Sequence, residues 1–234
     1  MYQQINLFDI ESDERKYVRR ISFGEARPFI ENIHYSRKMP TVTDAFGLFV
    51  DGIMVGVVTY GIPASRAPCV GIAGEENADH VLELNRLVIH PKYAQKNYAS
   101  YLVSHSLKML PSGTFVISYA DTAWTHIGYV YQACNFLYTG LSAKHIDAFH
   151  PEGAHPRHVD RGKYGSVYCE RSRKHRYVYL VGNRRTKERM LRELKYEIIH
   201  DYPKGDEVRY DTDRPVMPTQ MKLIHKKGRK RNAQ

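Results

Sequence analysis

Cysteine is scarce in this chain. Its three, Cys69, Cys134 and Cys169, are odd in number, widely spaced and free of any CxxC pair. That pattern excludes a disulfide framework or a zinc knuckle and makes reduced thiols the expectation. Long apolar runs are missing too: none approaches the roughly 20 residues that cross a bilayer. The opening MYQQINLFDIESDERK lacks the charged-then-apolar pattern of an export signal. A soluble, cytoplasmic protein without a membrane partner is therefore expected. There is no internal repeat, and with 42% hydrophobic residues wholesale disorder is excluded.

Net acidity is what the last third lacks. Residues 1–160 carry 14 Lys and Arg against 16 Asp and Glu, whereas residues 161–234 carry 21 against 9. All of the formal +10 charge thus lies beyond residue 160. Such asymmetry points to a polyanion, because each neutralised phosphate releases counterions; a soluble basic tail is the plainer alternative. The expected organisation is a polar peripheral segment over 1–16, a main domain over 17–160, a basic strand and helix extension over 161–221 that packs on or continues that domain, and a flexible basic tail over 222–234.

Within the main domain, YVRRISF (17–23) reads as a first strand. A helix follows from about Gly24 to Tyr35, with Ala26, Phe29, Ile30 and Ile33 at helical spacing. Ser22 and Glu25 have capping-box spacing. A start there would push Pro28 past the first turn, so the proline is given more weight than the box. AFGLFVDGIMVGVVTYG (45–61) predicts a hairpin turning at Asp51-Gly52. VLELNRLVI (81–89) alternates as a strand, with Glu83 and Asn85 on one face and Arg86 on the other. A helix over about 97–110, a strand at TFVISYA, a short helix over 127–136 and a strand at LYTGLSA complete the expected order. That order implies an α/β (α+β) fold in which helices flank one mixed sheet.

Residues 142–165 read as a long polar loop. His145, His150, His155 and His158 lie in it, but their spacing matches no common zinc pattern. Beyond it, GSVYCERSRKHRYVYLVG predicts two strands and RRTKERMLRELKY a basic helix. Cys134 has no neighbour that would activate its thiol.

The strand-helix-strand-helix succession from Val81 to Phe136 resembles the cofactor half of the GNAT acyltransferase fold. That resemblance implies acetyl-CoA or a related CoA donor along Leu87 and Val88, where two parallel strands part. It implies a pyrophosphate on the amides of Gln95-Lys96-Asn97-Tyr98-Ala99-Ser100, a run that keeps the family's glutamine and replaces its glycines. Amides at a helix N-terminus suit an anion on physical grounds. Tyr131-Gln132-Ala133-Cys134-Asn135-Phe136 is similar to the family's Tyr-x-x-x-Gly-Phe motif, with Asn for Gly. The motif implies that the Tyr131 phenol protonates a departing thiolate; the alternative for a buried tyrosine is a core residue with a satisfied hydroxyl.

Several short motifs in one order narrow the likeness. His34-Tyr35-Ser36, Glu83-Leu84-Asn85-Arg86, Ser118-Tyr119-Ala120-Asp121 and Tyr131 together resemble the bacteriophage Mom family over about residues 17–140. Those enzymes convert adenine N6 in phage DNA to a methylcarbamoyl form and so block restriction. The resemblance implies double-stranded DNA as partner and iron as a candidate metal, with His34 as its ligand or as an acid/base group.

Adenine N6 is a weak nucleophile, so positioning and proton removal are needed, and in duplex DNA the base must first be flipped out. Asp121, beside Tyr119 and Trp124, suits an acceptor or base role but also reads as a helix cap. Glu83 is a rival base or a structural ion-pair partner. Tyr35, Ser36, Arg86, Tyr119 and Trp124 are candidate substrate contacts, and Tyr60 either lines the same pocket or belongs to the core. Three functions stay open: a DNA-modifying transferase, an ordinary N-acetyltransferase of a protein or small amine, and a noncatalytic DNA-binding protein on a GNAT scaffold.

Overall fold

The computed structural model describes residues 15–148, 167–205 and 223–225. The N-terminal segment, most of the histidine loop (with His150, His155 and His158) and most of the basic tail lie outside the described residues.

The chain runs β1 (Lys16–Arg20), α1 (Phe23–Asn32), β2 (Asp44–Val50), β3 (Ile53–Gly61), α2 (Arg66–Ala73), β4 (Val81–Ile89), α3 (Tyr98–Leu107), β5 (Phe115–Asp121), α4 (Tyr129–Ala133), β6 (Leu137–Leu141), β7 (His145–Ala148), β8 (Val167–Arg171), β9 (Lys174–Leu180), α5 (Arg184–Glu193) and β10 (Leu223–His225). Seven strands form one mixed sheet in the order β1-β2-β3-β4-β5-β9-β6, and a second sheet is ordered β10-β8-β7. The expected α/β class with helices on a mixed sheet is what the chain adopts. No helix among the described residues is long and apolar enough to cross a membrane.

Local chemistry explains most elements. Asp51 and Gly52 both have positive φ, 48° and 83°, which matches the right-handed twist of the hairpin they close. The helix α1 corrects the weight given to proline. Ser22 caps it, accepting from the Glu25 amide while the Glu25 carboxylate accepts from the Ser22 amide, and Pro28 sits inside the helix. Both Pro28 and Gly24 are exposed, so the carbonyl that loses its donor is open to water and the reciprocal cap prevails. Three further corrections follow from long-range pairing. A helix, α2, stands at Arg66–Ala73 where the local sequence suggests no element; His145 opens β7 rather than lying in a loop, and β10 forms at the start of what reads as tail.

Strand alternation sorts the core onto two faces. Val58, Leu84, Val116, Ala120 and Tyr177 pack with Tyr98 and Leu102 of α3. Val57 and Val88 pack with Ala26 and Ile30 of α1. Phe115, Ile117 and Val178 pack on that same side with Ile72 of α2 and Met190 of α5. The basic extension enters the sheet itself, because β9 lies between β5 and the edge strand β6.

Candidate active site

The parallel strands β4 and β5 pair only from Val81–Phe115 to Glu83–Ile117. Beyond that point the ladder stops, and Ser118 Oγ donates to the Leu84 carbonyl at 2.9 Å. A bulge in β4 marks the same place: Thr59 faces Arg86 and Tyr60 faces Leu84, so Asn85 is the extra residue. Asn85 is fixed there, accepting from Thr59 Oγ1 at 2.6 Å and donating to the Thr41 carbonyl at 2.9 Å. The extra residue resets the alternation. Arg86 is thereby on the same face as Glu83 and Asn85, not the opposite one, since it pairs across from Thr59 on the α1 side.

This α1-side face gathers most of the polar candidates. Arg86 donates from Nε and Nη2 to the Lys38 carbonyl, at 3.1 and 2.9 Å, and so anchors the loop after α1. That loop carries His34 and Tyr35, whose rings stack at 4.3 Å. Tyr35 is 45% exposed, and its ring meets Trp124 at 5.2 Å and His126 at 6.2 Å. Together these rings form an aromatic ledge beside the end of β5.

Asp121 ends β5 and is held by three donors. Its Oδ1 accepts from the Ala123 amide at 3.0 Å and from Ser172 Oγ at 2.5 Å, and its Oδ2 lies 3.3 Å from Lys174 Nζ. Lys174 is its cross-strand neighbour on β9. The cap expected as an alternative is therefore present, alongside an ion pair. Glu83 differs: it makes no hydrogen bond or ion pair among the described residues. Burial holds its carboxyl above the usual range, and Lys174 and Arg86 pull it partly back. Tyr119, on the same face, has its phenol pushed up by burial and then by the Glu83 charge.

His34 is buried. Burial first, then the charges of Arg86 and His126, push its pKa down to about 3. Its Nδ1 accepts from the Ser36 amide at 3.1 Å, which assigns the ring proton to Nε2. With that nitrogen engaged and a guanidinium nearby, the ring is poorly suited to a cation. No group of three or more His, Cys, Asp or Glu that could hold a metal occurs among the described residues. The iron expectation thus finds no ligand set among the described residues. The depressed pKa also gives a pH dependence of stability. Between about 3 and the unfolded value near 6.5 the unfolded chain binds the extra proton, so this contribution is full above that window and is lost as pH falls through it. Chemical denaturation of His34→Asn and the parent at pH 7 and pH 5 is expected to show the parent losing more stability than the variant on acidification.

Tyr131 lies on the other side of the sheet. Its ring packs against Tyr177 at 5.3 Å and Phe136 at 5.4 Å, and Tyr177 pairs across from Ser118, whose side chain points opposite to Asp121. Tyr177 is fully buried; its hydroxyl donates to the Ile127 carbonyl and accepts from Gln132 Nε2 at 3.1 Å. The turn into α4 passes close above it: Gly128 has φ 78°, and a Cβ there would lie 2.4 Å from the Tyr177 ring. Asn135, which stands where the family motif has glycine, takes the left-handed conformation with φ 58°.

The α3 side also holds the candidate cofactor run. Asn97 caps α3 in the left-handed region with no side-chain cap bond, so the first-turn amides around Ala99 and Ser100 are not claimed by its side chain. Gln95 and Lys96 are exposed beside them. Tyr98 stands where the GNAT motif has glycine, and its side chain is buried in the core beneath α3. Leu87 is half-buried on this side. Val88 is a core residue beneath α1 and can offer only backbone here.

Tyr60 is corrected to a core residue. It is fully buried and hydrogen-bonded to Ser106 Oγ at 2.6 Å, so it lines no pocket. Cys134 is buried, and desolvation pushes its thiol up to about 11, against any nucleophilic role. Residues the sequence did not disclose are Ser172, Lys174 and His126. Only register across β9 brings the first two to Asp121, and no local pattern signals that.

A family model described as the Mom protein family matches residues 15–204 of this chain. The match extends past the 17–140 stretch expected from short motifs and takes in β9 and α5. The methylcarbamoylase Mom of Escherichia phage Mu is 28% identical over 206 residues, covering 80% of this chain and 83% of the relative. Among solved structures, a GNAT-family acetyltransferase from Bacillus cereus is 14% identical with a TM-score of 0.42, covering 72% of this chain and 99% of its own. Arabidopsis thaliana NAA60 in complex with acetyl-CoA is 14% identical with a TM-score of 0.44, covering 71% and 100%.

Proposed function

This chain belongs to the Mom protein family, and from that premise we propose that it is a DNA-modifying transferase that places a methylcarbamoyl group on adenine N6 and thereby shields phage DNA from restriction. The observation that carries the reading is the end of the β4–β5 ladder at Glu83–Ile117, with acids and exposed aromatic rings on one side and a helix N-terminus on the other. An extruded adenine would stack on the Tyr35 and Trp124 ledge, with Asp121 accepting from its amino group. Glu83, half-buried and with a carboxylate that meets no donor among the described residues, would take the proton as N6 becomes nucleophilic. Ser36, Arg86 and Tyr119 complete the walls. Arg86 acts there chiefly through its grip on the Lys38 carbonyl.

The run from Gln95 to Ser100 fits a CoA pyrophosphate, because its amides point from a helix start that no side chain caps and Lys96 adds positive charge. A CoA thioester held there would supply an activated carbonyl carbon on the α3 side of the gap. Tyr131 would hold the proton available to a departing group on that side. A methylcarbamoyl group contains a nitrogen that acetyl lacks, which favours a related donor over acetyl-CoA itself. Duplex DNA is the proposed partner, its phosphates met by the basic residues that follow residue 160, and the cytoplasm is the proposed place of action.

The test is mass spectrometry of nucleosides from DNA of bacteria that express the protein. A deoxyadenosine carrying a methylcarbamoyl group in place of one hydrogen is the expected product. Unmodified deoxyadenosine from cells rich in folded protein would overturn the reading.

A further inference from the structure

Asp121 and Glu83 lie on one face of the sheet but in unlike circumstances. The first is held by three donors and the second by none among the described residues. Two of the three donors to Asp121 come from where β9 begins: Ser172 from the turn between β8 and β9 and Lys174 from the first position of β9, a segment to which nothing above assigns a role. We propose that Ser172 and Lys174 are positioning residues, which fix the Asp121 carboxylate so that a single lone-pair position on Oδ2 is left for the amino group of the target adenine.

The count supports this. A carboxylate offers about four acceptor positions. The Ala123 amide and Ser172 Oγ occupy the two on Oδ1, and Lys174 Nζ occupies one on Oδ2. What remains is one direction, set by bonds that come from one strand and two turns. The cross-strand pairing of Asp121 with Lys174 fixes the ammonium from the backbone upward. Thr122 secures the same turn, donating from its amide and from Oγ1 to the Arg173 carbonyl at 3.2 and 2.7 Å. Arg173 in turn donates from Nε to the Ser142 carbonyl at 2.7 Å, tying the turn to the end of β6. The turn that bears Ser172 and leads into Lys174 is thus held on both sides. An acceptor aimed in this way suits a weakly nucleophilic amine, for which small errors of placement are costly.

The inference rests on the DNA-modifying reading, and its test separates the two. Wild type, Lys174→Met, Lys174→Arg and Ser172→Ala are expressed at matched levels, and the modified fraction of deoxyadenosine in resident plasmid DNA is measured. Duplex affinity and melting temperature are measured on the purified proteins. Lys174→Met is expected to lower modification about 10- to 100-fold and Ser172→Ala about 10-fold. Lys174→Arg should restore it to within about threefold, since a guanidinium can meet the same oxygen. Duplex affinity and melting should stay close to wild type. Wild-type modification alongside equal modification by Lys174→Met and Ser172→Ala would overturn this proposal alone. So would an arginine variant no better than the methionine one, or a loss explained by weaker DNA binding, which would make Lys174 a phosphate contact. If Lys174→Met does not accumulate as folded protein, Ser172→Ala decides. A wild type that modifies nothing overturns the functional reading and this one with it.

Discussion

Glu83→Gln is expected to lower adenine modification by about 10²–10⁴-fold, the range for loss of a general base. The substitution is nearly isosteric, and Glu83 makes no hydrogen bond or ion pair among the described residues, so folding should not suffer. Removing a half-buried carboxylate whose charged form burial disfavours should leave the melting temperature equal or slightly higher. Nucleoside mass spectrometry at matched expression, with melting as control, reads both effects. Asp121→Asn serves as comparator: it keeps an acceptor oxygen but loses the ion pair with Lys174. If Glu83→Gln modifies DNA normally while Asp121→Asn does not, the base is Asp121 and the roles proposed for the two acids exchange.

The second large effect concerns the support beneath Tyr131. Tyr177→Ala is expected to cost about 3–5 kcal/mol, as for other large aromatic truncations in cores. For a chain of this length that lowers the melting temperature by on the order of 10 °C. Tyr177 is fully buried and touches the rings of Tyr131 at 5.3 Å, Tyr138 at 5.3 Å and Tyr202 at 6.4 Å. Its loss also removes the hydroxyl that donates to the Ile127 carbonyl and accepts from Gln132, although Gln132 Nε2 still donates to the Ile127 carbonyl at 3.0 Å. Tyr177→Phe keeps the ring and should cost about 0.5–1.5 kcal/mol, the net worth of one hydrogen bond, because Gln132 Nε2 still donates to the Ile127 carbonyl. Calorimetry of the two variants checks the ratio; equal losses would show that the hydroxyl, not the packing, carries the stability.

Much of the fold was readable where the determinants are local. Asp51-Gly52 announces its own hairpin, and the alternation of VLELNRLVI gives β4 its limits, Val81 and Ile89. The position of Asp121 at a strand end was equally legible. What escaped is set by pairing at a distance. Nothing near Asn85 says that it is an extra residue; that follows from Thr59 and Tyr60 on the neighbouring strand, and with it the side on which Arg86 emerges. Ser22 and Pro28 gave opposing local signals, and solvent exposure of Pro28 decided between them. Ser172 and Lys174 look like part of one more basic run until β9 is placed beside β5.

That placement has a consequence for when the enzyme can exist. Ser172 follows Asp121 by 51 residues, so a ribosome moving at about 5–20 residues per second delivers it some 3–10 s later. A nascent chain that already holds β4 and β5 therefore carries Asp121 with only its local restraint, the Ala123 amide, and a product truncated before β9 would leave the central sheet unfinished. Competence arrives in one late step of synthesis rather than by degrees.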